Sequence, residues 1–450
     1  MKHAVVDAVT AVFTCADQGF ITVRSPEMPA FPGYHAFPGG KVDATDPETP
    51  IDLPWLRDHE PKLMHALCRE LDEEVGFDLQ AGIESGLVKG IWKLGVAVTP
   101  KFEPRRFDTR FYRIDLAEPV AFDVDPRETV HGEWAPWREL AERYHDGHIL
   151  AVPPTVVVIE QFADNPDETD LSRLHFDFDA ERFLPCVEAI KGVRLIPVPS
   201  HTLPPAMATN CFIIGDDGAQ KFMVDPSPKD ETVLQRLCNT ADRIGFDAIF
   251  LTHHHPDHRQ YADKLARRYQ CPIHLSQDSF ERIEQKTAGR FFDGIETVIR
   301  KEGEVLTQWL GRDVQILEVP GHDEGQLALM SEDRAWCIVS DLFQGVGTVV
   351  IAKPEGNMAK YFKTLQRVID LDPKVIYPSH GMGMGTTYRL RVTLAHRKMR
   401  EQEILTLHQQ GKSNQEMLDV VYAGLDPRLA PLALCNIENH LDKLRDENRI

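Results

Sequence analysis

No run of apolar residues in this chain approaches the ~18 needed to cross a bilayer as a helix, so a membrane span is not expected. The opening residues, Met1 to Asp7, lack a hydrophobic signal region, and secretion is not expected either. The eight cysteines are scattered without paired spacing. That argues against a disulfide framework and for free thiols in a reducing cytoplasm. Internal repeats, low-complexity tracts and a Walker-type phosphate loop are all missing, and Gly383 to Gly385 is too short a glycine loop to make a nucleotide site. Positive charge is in deficit: 50 Lys and Arg face 70 Asp and Glu, for a net charge of −20. Such a balance disfavours general binding to nucleic acid or to anionic membranes, although a local basic groove would survive it. What remains is an ordinary soluble composition, 42% hydrophobic and 27% charged. At 450 residues the chain is too long for one core, so two or three domains are expected.

The densest chemistry lies between Thr252 and Arg259, where His253, His255, Asp257 and His258 fall within six residues. The preceding run, Phe246 to Thr252, is largely apolar, has no helical period and is closed by Pro256, so it reads as a short buried strand. Alternation along a strand would point His253 and His255 the same way from its carboxyl end. Imidazole nitrogens with a carboxylate suit zinc, and iron or manganese are alternatives.

This stretch resembles the metallo-β-lactamase superfamily, and the rest of that pattern follows in order over about residues 190–390. Val319-Pro320-Gly321-His322 brings the next histidine. Ala335 to Val339 reads as an apolar strand leading into Ser340-Asp341, and Ile376 to Gly381 brings His380. The resemblance implies that His253, His255 and His322 hold one metal ion, that Asp257, His258 and His380 hold a second, and that Asp341 bridges them. It implies two zinc ions (or iron or manganese) activating water, with Asp257 positioned to orient or deprotonate it. The chain departs from the family in two places. Ser340 stands where glycine is usual, which should be tolerated if the backbone there needs no positive φ. Asp323 stands where a small hydroxylated residue is usual, which should alter contacts behind the ligands rather than ligation.

Upstream, residues 5–14, 20–24, 107–116 and 128–134 read as strands, and residues 137–145 and 153–160 as helices. Between them, Leu63, Leu67 and Leu71 recur every fourth residue and Gly76 is placed to stop a helix. On that helix Glu70, Glu73 and Glu74 share one face, with Arg69 a turn before Glu73. Clustered carboxylates repel unless a cation sits among them, and oxygen ligands of this kind suit magnesium or manganese beside a substrate's phosphates. Together with Phe37-Pro38-Gly39-Gly40, these residues resemble the Nudix hydrolase family over about residues 5–165. That implies Mg or Mn bound by Glu70, Glu73 and Glu74, with Glu73 or Glu74 helping to activate water. Gly40 and Arg69 lie further apart than in the compact Nudix box, and the Pro- and Asp-rich stretch 45–55 reads as an inserted loop. Similar insertions, and residues such as Asp43, Arg106 and Trp134, resemble the coenzyme A diphosphatase branch.

From Tyr388 onward the chain reads as helical. A helix is expected to end at Gly411, a second to start with a Ser413–Glu416 capping box, and a third to run from Pro431 to Asn448 with Leu434, Ile437, Leu441 and Leu444 on one stripe. This resembles the winged-helix tail of the β-lactamase-like-protein-2 branch. Residues 391–450 carry nine basic and nine acidic side chains, and only Arg397, Lys398 and Arg400 cluster. Packing on the metal domain or a homodimer contact is therefore favoured over nucleic-acid binding.

The expected fold is α+β and multidomain. It comprises a Nudix-like α/β/α sandwich over 1–168, a linker over 169–189, a metallo-β-lactamase-like αββα sandwich over 190–388, and a small helical winged-helix-like tail over 389–450. The expected function is metal-dependent hydrolysis of a thioester or ester, fused to a Nudix-type diphosphate hydrolase. The substrate would be a small molecule, such as an acyl-coenzyme A or a nucleotide diphosphate derivative. The alternative is an endoribonuclease whose Nudix-like part only binds a nucleotide.

Overall fold

A computed structural model describes residues 5–100, 106–174 and 178–450. The chain divides into two compact units, Met1–Asp179 with Val187–Lys191, and Ala180–Cys186 with Gly192–Ile450. Of the stretch expected to be a linker, Ser172–Leu174 forms a 3₁₀ turn and Val187–Ile190 a strand, while 175–177 lie outside the described residues.

The first unit is built on a mixed sheet. Strands His35–Ala36, Gln18–Arg24, Val6–Cys15, Phe107–Leu116 and Val88–Val98 lie side by side in that order; Gly39–Lys41 pairs with Val6–Cys15, and Thr129–Pro136 with Gln18–Arg24. Val6–Cys15 is central and alternates cleanly. Val9, Ala11 and Phe13 face a core with Leu63, Leu67 and Leu71, whereas Val12 faces one with Trp137, Ile159 and Phe162. The sheet is therefore covered on both faces, by helix Pro61–Val75 on one side and by Trp137–His145 and Pro153–Asp164 on the other. Helix Pro61–Val75 forms where the leucine spacing predicts it. Leu63, Leu67 and Leu71 are all buried, each contributing about 1.5–3 kcal/mol, and Gly76 ends the helix at φ +63°. Sequence patterning missed strand Val88–Val98. Register shifts at Val88/Gly90 and Lys93/Gly95 break its alternation, so no period of two survives in the residue order.

The second unit is a pair of sheets with helices outside them. In one, Thr297–Ile299, Ile273–Leu275, Ala248–Phe250, Phe222–Val224, Ala208–Ile214 and Val193–Pro199 are neighbours in that order. In the other the order is Val305–Trp309, Arg312–Glu318, Leu327–Ser331, Cys337–Ser340, Val375–Pro378 and Met384–Gly385. The inner faces meet through large side chains: Phe212 of the first sheet lies edge-on to Tyr377 of the second at 5.6 Å. Outside, Glu231–Ile244, Ala262–Tyr269 and Gln277–Thr287 cover the first sheet, and Met358–Leu371 and Tyr388–Gln409 the second. This is the expected αββα sandwich.

The tail forms the expected helices. The capping box at Ser413 and Glu416 starts helix Asn414–Val421, and Ala430–Asp446 buries Ile437, Leu441 and Leu444. Among the described residues no strand follows Gly385, so the tail is purely helical. Arg397 and Arg400 of the basic cluster turn inward. Arg397 is buried and donates to the Val349 carbonyl, and Arg400 donates to the Val421 carbonyl and lies over Tyr422. Among the described residues no helix is long and apolar enough to cross a membrane.

Candidate metal centre

Seven predicted ligands reach one place from four chain segments. Strand Ala248–Phe250 runs directly into His253–His255, and Pro256 opens the four-residue helix that carries Asp257 and His258. Strand Leu327–Ser331 is preceded by the loop with His322, strand Cys337–Ser340 ends at Asp341, and Val375–Pro378 ends just before His380. All are ends of strands or the loops beside them, where side chains are free of the ladder and can converge.

The convergence takes the form of three overlapping groups: His253, His255 and His322; His253, His258 and Asp341; and Asp257, His258 and His380. Within each group the donor atoms lie within 4.8 Å of one another. His255 Nδ1 is 2.9 Å from His253 Nε2 and 3.0 Å from His322 Nε2. The Asp341 carboxylate lies between the two ends, with Oδ2 3.6 Å from both His258 Nε2 and His322 Nε2 and Oδ1 3.4 Å from His380 Nε2. Asp257 Oδ2 is 3.7 Å from His380 Nε2.

These residues fit a pair of divalent cations. His258 Nε2 is buried without a hydrogen bond, an arrangement that is costly unless something else occupies its lone pair. Burial holds the His253 imidazole far below its ordinary pKa, with His258 and His255 adding to the effect, so it is neutral and its lone pair is free. Burial by itself would raise the Asp341 carboxyl, but His380 and His258 overcome it and keep the group ionised far below the usual carboxylate range. Burial also lowers His322, whereas His258 and His380 are raised, because the Asp341 carboxylate beside each outweighs burial. Imidazoles gathered around a buried carboxylate are the donor set of a zinc or iron site.

A further shell of bonds holds the ligands in orientation. Asp225 accepts from the Thr252 amide (2.8 Å) and the Thr252 hydroxyl (2.6 Å), and its Oδ2 is 2.8 Å from His258 Nδ1. His322 Nδ1 contacts the Val350 carbonyl at 2.8 Å, and His380 Nδ1 the Ala208 carbonyl at 2.9 Å. His255 Nε2 is 2.9 Å from Glu355 Oε2. Each bond leaves the opposite ring nitrogen pointing into the cluster. None of these partners was read from the sequence. Asp225 at a strand end carried a weak signal, whereas Glu355, a hundred residues from His255, carried none.

Two departures from the family pattern resolve differently. Ser340 sits at φ +54°, so the condition under which serine would be tolerated freely, a backbone without positive φ, is not met. Serine is held there because its hydroxyl donates to Thr252 Oγ1 at 2.8 Å, inside the network that orients His253 and His258. Asp323 acts behind the ligands as expected. It is fully buried, 2.9 Å from His254 Nδ1, and accepts from the Gly325 amide.

His254, His255, Asp323 and Glu355 form a fourth cluster of ligand-type atoms. Here Lys286 Nζ lies 2.8 Å from His254 Nε2 and 3.1 Å from Glu355 Oε1, and Arg282 reaches Glu355 at 3.6 Å. The protein's own cations supply the positive charge, which leaves this cluster as a support and not a metal site.

In the first unit the expected carboxylates are held by different partners. Glu74 is buried and accepts from the Gly39 amide (2.7 Å) and Thr129 (3.3 Å), and burial pushes its carboxyl up to about 7. Glu70 and the mostly exposed Glu73 are both held by Arg69, at 2.8 and 3.2 Å. Arg69 also bonds Asp46 and the Lys41 carbonyl. The inserted stretch 45–55 has no helix or strand and is tied to Arg69 through the buried Asp46, while Gly40 returns against Glu70 so closely that a Cβ on Gly40 would collide with the Glu70 carboxylate.

Comparison with known proteins identifies the class. Residues 204–380 match the metallo-β-lactamase superfamily, and residues 413–450 the β-lactamase-associated winged-helix domain. A β-lactamase-like protein 2 homolog of Drosophila melanogaster is 28% identical over 263 residues, 54% of this chain and 84% of that protein. A hydroxyacylglutathione hydrolase of Bdellovibrio bacteriovorus is 31% identical over 173 residues, 38% of this chain and 62% of that enzyme. In fold, the chain is similar to a β-lactamase domain protein from Burkholderia ambifaria, with a TM-score of 0.51 at 21% identity, covering 60% of this chain and 90% of that one. Residues 204–380 thus carry a metallo-β-lactamase-type hydrolase domain, and residues 413–450 match its associated winged-helix domain.

Proposed function

We propose that the protein hydrolyses a thioester or ester of a small molecule, such as an acyl-glutathione or acyl-coenzyme A, at the centre formed by His253, His255, Asp257, His258, His322, Asp341 and His380. The observation that carries this reading is the Asp341 carboxylate, which lies within 3.6 Å of histidines from both ends of the cluster. The likeness to hydroxyacylglutathione hydrolases favours a thioester over a phosphodiester. A pair of divalent cations held by these residues would supply Lewis acidity and bring the pKa of water toward neutrality. Asp257, half-buried at the edge of the cluster, orients that water and takes its proton. The Thr209 hydroxyl fixes the Asp257 backbone by donating to its carbonyl at 2.7 Å. Purified zinc-loaded protein is expected to turn over an acyl-glutathione or acyl-coenzyme A panel. His322→Ala and His380→Ala should each lower kcat/KM by about 10²-fold or more, close to 3 kcal/mol of barrier. No turnover of any thioester by the wild type would defeat the reading. Cleavage of single-stranded RNA in the same assay would replace it with the endoribonuclease alternative. The inward-facing Arg397 and Arg400 weigh against that alternative, since they offer no phosphate track.

A second activity is favoured by the approach of Gly40 to Glu70 and by the bonds from Arg69 to Glu70 and Glu73. On this reading the first unit is a Nudix-like diphosphate hydrolase using Mg or Mn at Glu70, Glu73 and Glu74. Glu73→Gln should then abolish turnover of a nucleotide diphosphate panel. Activity equal to wild type would leave the unit as a nucleotide-binding module.

A further inference from the structure

Two of the three histidines at one end of the metal centre are oriented by a single loop. Residues 342–357 connect strand Cys337–Ser340 to helix Met358–Leu371. The Val350 carbonyl of this loop meets His322 Nδ1 at 2.8 Å, and its Glu355 carboxylate meets His255 Nε2 at 2.9 Å. Neither position lies in regular secondary structure, so something outside the loop must hold it.

The helical tail does so. Within helix Ala430–Asp446, Asn436 and Asn439 stand one turn apart and are both buried. Asn436 Oδ1 accepts from the Ile351 amide at 3.2 Å, and Asn439 Nδ2 donates to the Ile351 carbonyl at 2.8 Å. Together they satisfy both backbone groups of the residue after Val350, as a strand partner would. Arg397 of helix Tyr388–Gln409 donates to the Val349 carbonyl, and Lys353 pairs with Asp442. Four tail side chains thus grip the five residues 349–353, immediately before and within the turn that presents Glu355.

We propose that the tail is a positioning element of the first cation site, acting on His322 through Val350 and on His255 through Glu355. Asn436 and Asn439 are its positioning residues. The second site, at Asp257, His258 and His380, takes its orientation from Asp225 and Ala208 and does not depend on the tail. The inference rests on the reading of His253, His255 and His322 as cation ligands.

The test is cobalt(II) titration of the full-length protein, followed by absorption in the ligand-field region and by competition with a chelator. Wild type should show two steps, one lost in His322→Ala and the other in His380→Ala. Asn436→Ala and Asn439→Ala should weaken the step lost in His322→Ala by about tenfold or more, leave the other unchanged and shift the first site's spectrum. Asn436→Asp keeps an acceptor for the Ile351 amide and should restore wild-type affinity. Leu418→Ala, which loosens the tail's own core away from the loop, should leave both steps in place. Wild-type affinity at the first site in both asparagine variants overturns the proposal. Equal weakening of both sites, or equal weakening by Leu418→Ala, also overturns it, because the tail would then act only through general stability. If the wild type takes up no cobalt, the ligand reading fails and this inference with it.

Discussion

Ser340 shows how one side chain can hold a backbone conformation that glycine adopts freely. A non-glycine residue at φ +54° costs about 1–3 kcal/mol, and the hydroxyl bond to Thr252 returns about 1 kcal/mol of that. Ser340→Gly trades the bond for relief of strain and should stay within about 1 kcal/mol of wild type by urea unfolding. Ser340→Ala keeps the strain, loses the bond and should cost about 1–2 kcal/mol. If alanine proves as stable as serine, the hydroxyl is not what holds this backbone. Asp225 works similarly from a distance, binding Thr252 and His258 together with one carboxylate.

At the scale of elements, the contact between strand Gly39–Lys41 and helix Pro61–Val75 decides how the first unit presents its acids. A methyl group on Gly40 would collide with the Glu70 carboxylate. Gly40→Ala should therefore push the Glu70 carboxylate off Arg69 and destabilise the protein by about 1 kcal/mol. In a Glu70→Ala background the same change should cost markedly less, because the colliding group is gone. A double-mutant cycle with no coupling would place the strain elsewhere. The helix itself was legible: three leucines at four-residue spacing and glycine after the end. Strand Val88–Val98 was not, since its two register shifts erase the alternation that marks a strand.

At the scale of the whole molecule, two responses are expected. Cations bound at the centre stabilise the state that binds them by mass action. Stripping them with a chelator should lower amide-exchange protection around Thr252–His258 and Ser340–Asp341, and leave helix Pro61–Val75 unchanged. Unchanged protection at both places would mean that the centre holds nothing. The second response is to acid. Burial, aided by Arg143, lowers the His35 imidazole from 6.5 to about 4 in the fold, against an opposing bond to the Leu150 carbonyl. A depressed folded-state pKa contributes stability that is full above the unfolded value and lost as pH falls. His35 should thus weaken the fold between about pH 6.5 and 4, by about 2–3 kcal/mol. His35→Gln should flatten that part of the stability–pH curve.

Residue order alone determined the class of chemistry and most of the architecture. The run from His253 to His258, and the spacing of His322, Asp341 and His380 behind short apolar strands, are local patterns. Local patterns survive in one dimension because strand alternation and helix period are properties of neighbouring residues. What only the tertiary structure decided is what stands behind the ligands. Asp225, Val350, Glu355, Asn436 and Asn439 reach the histidines or their supports across 28 to 100 positions of chain. Such pairings depend on how sheets stack and where loops return, and no periodicity records that.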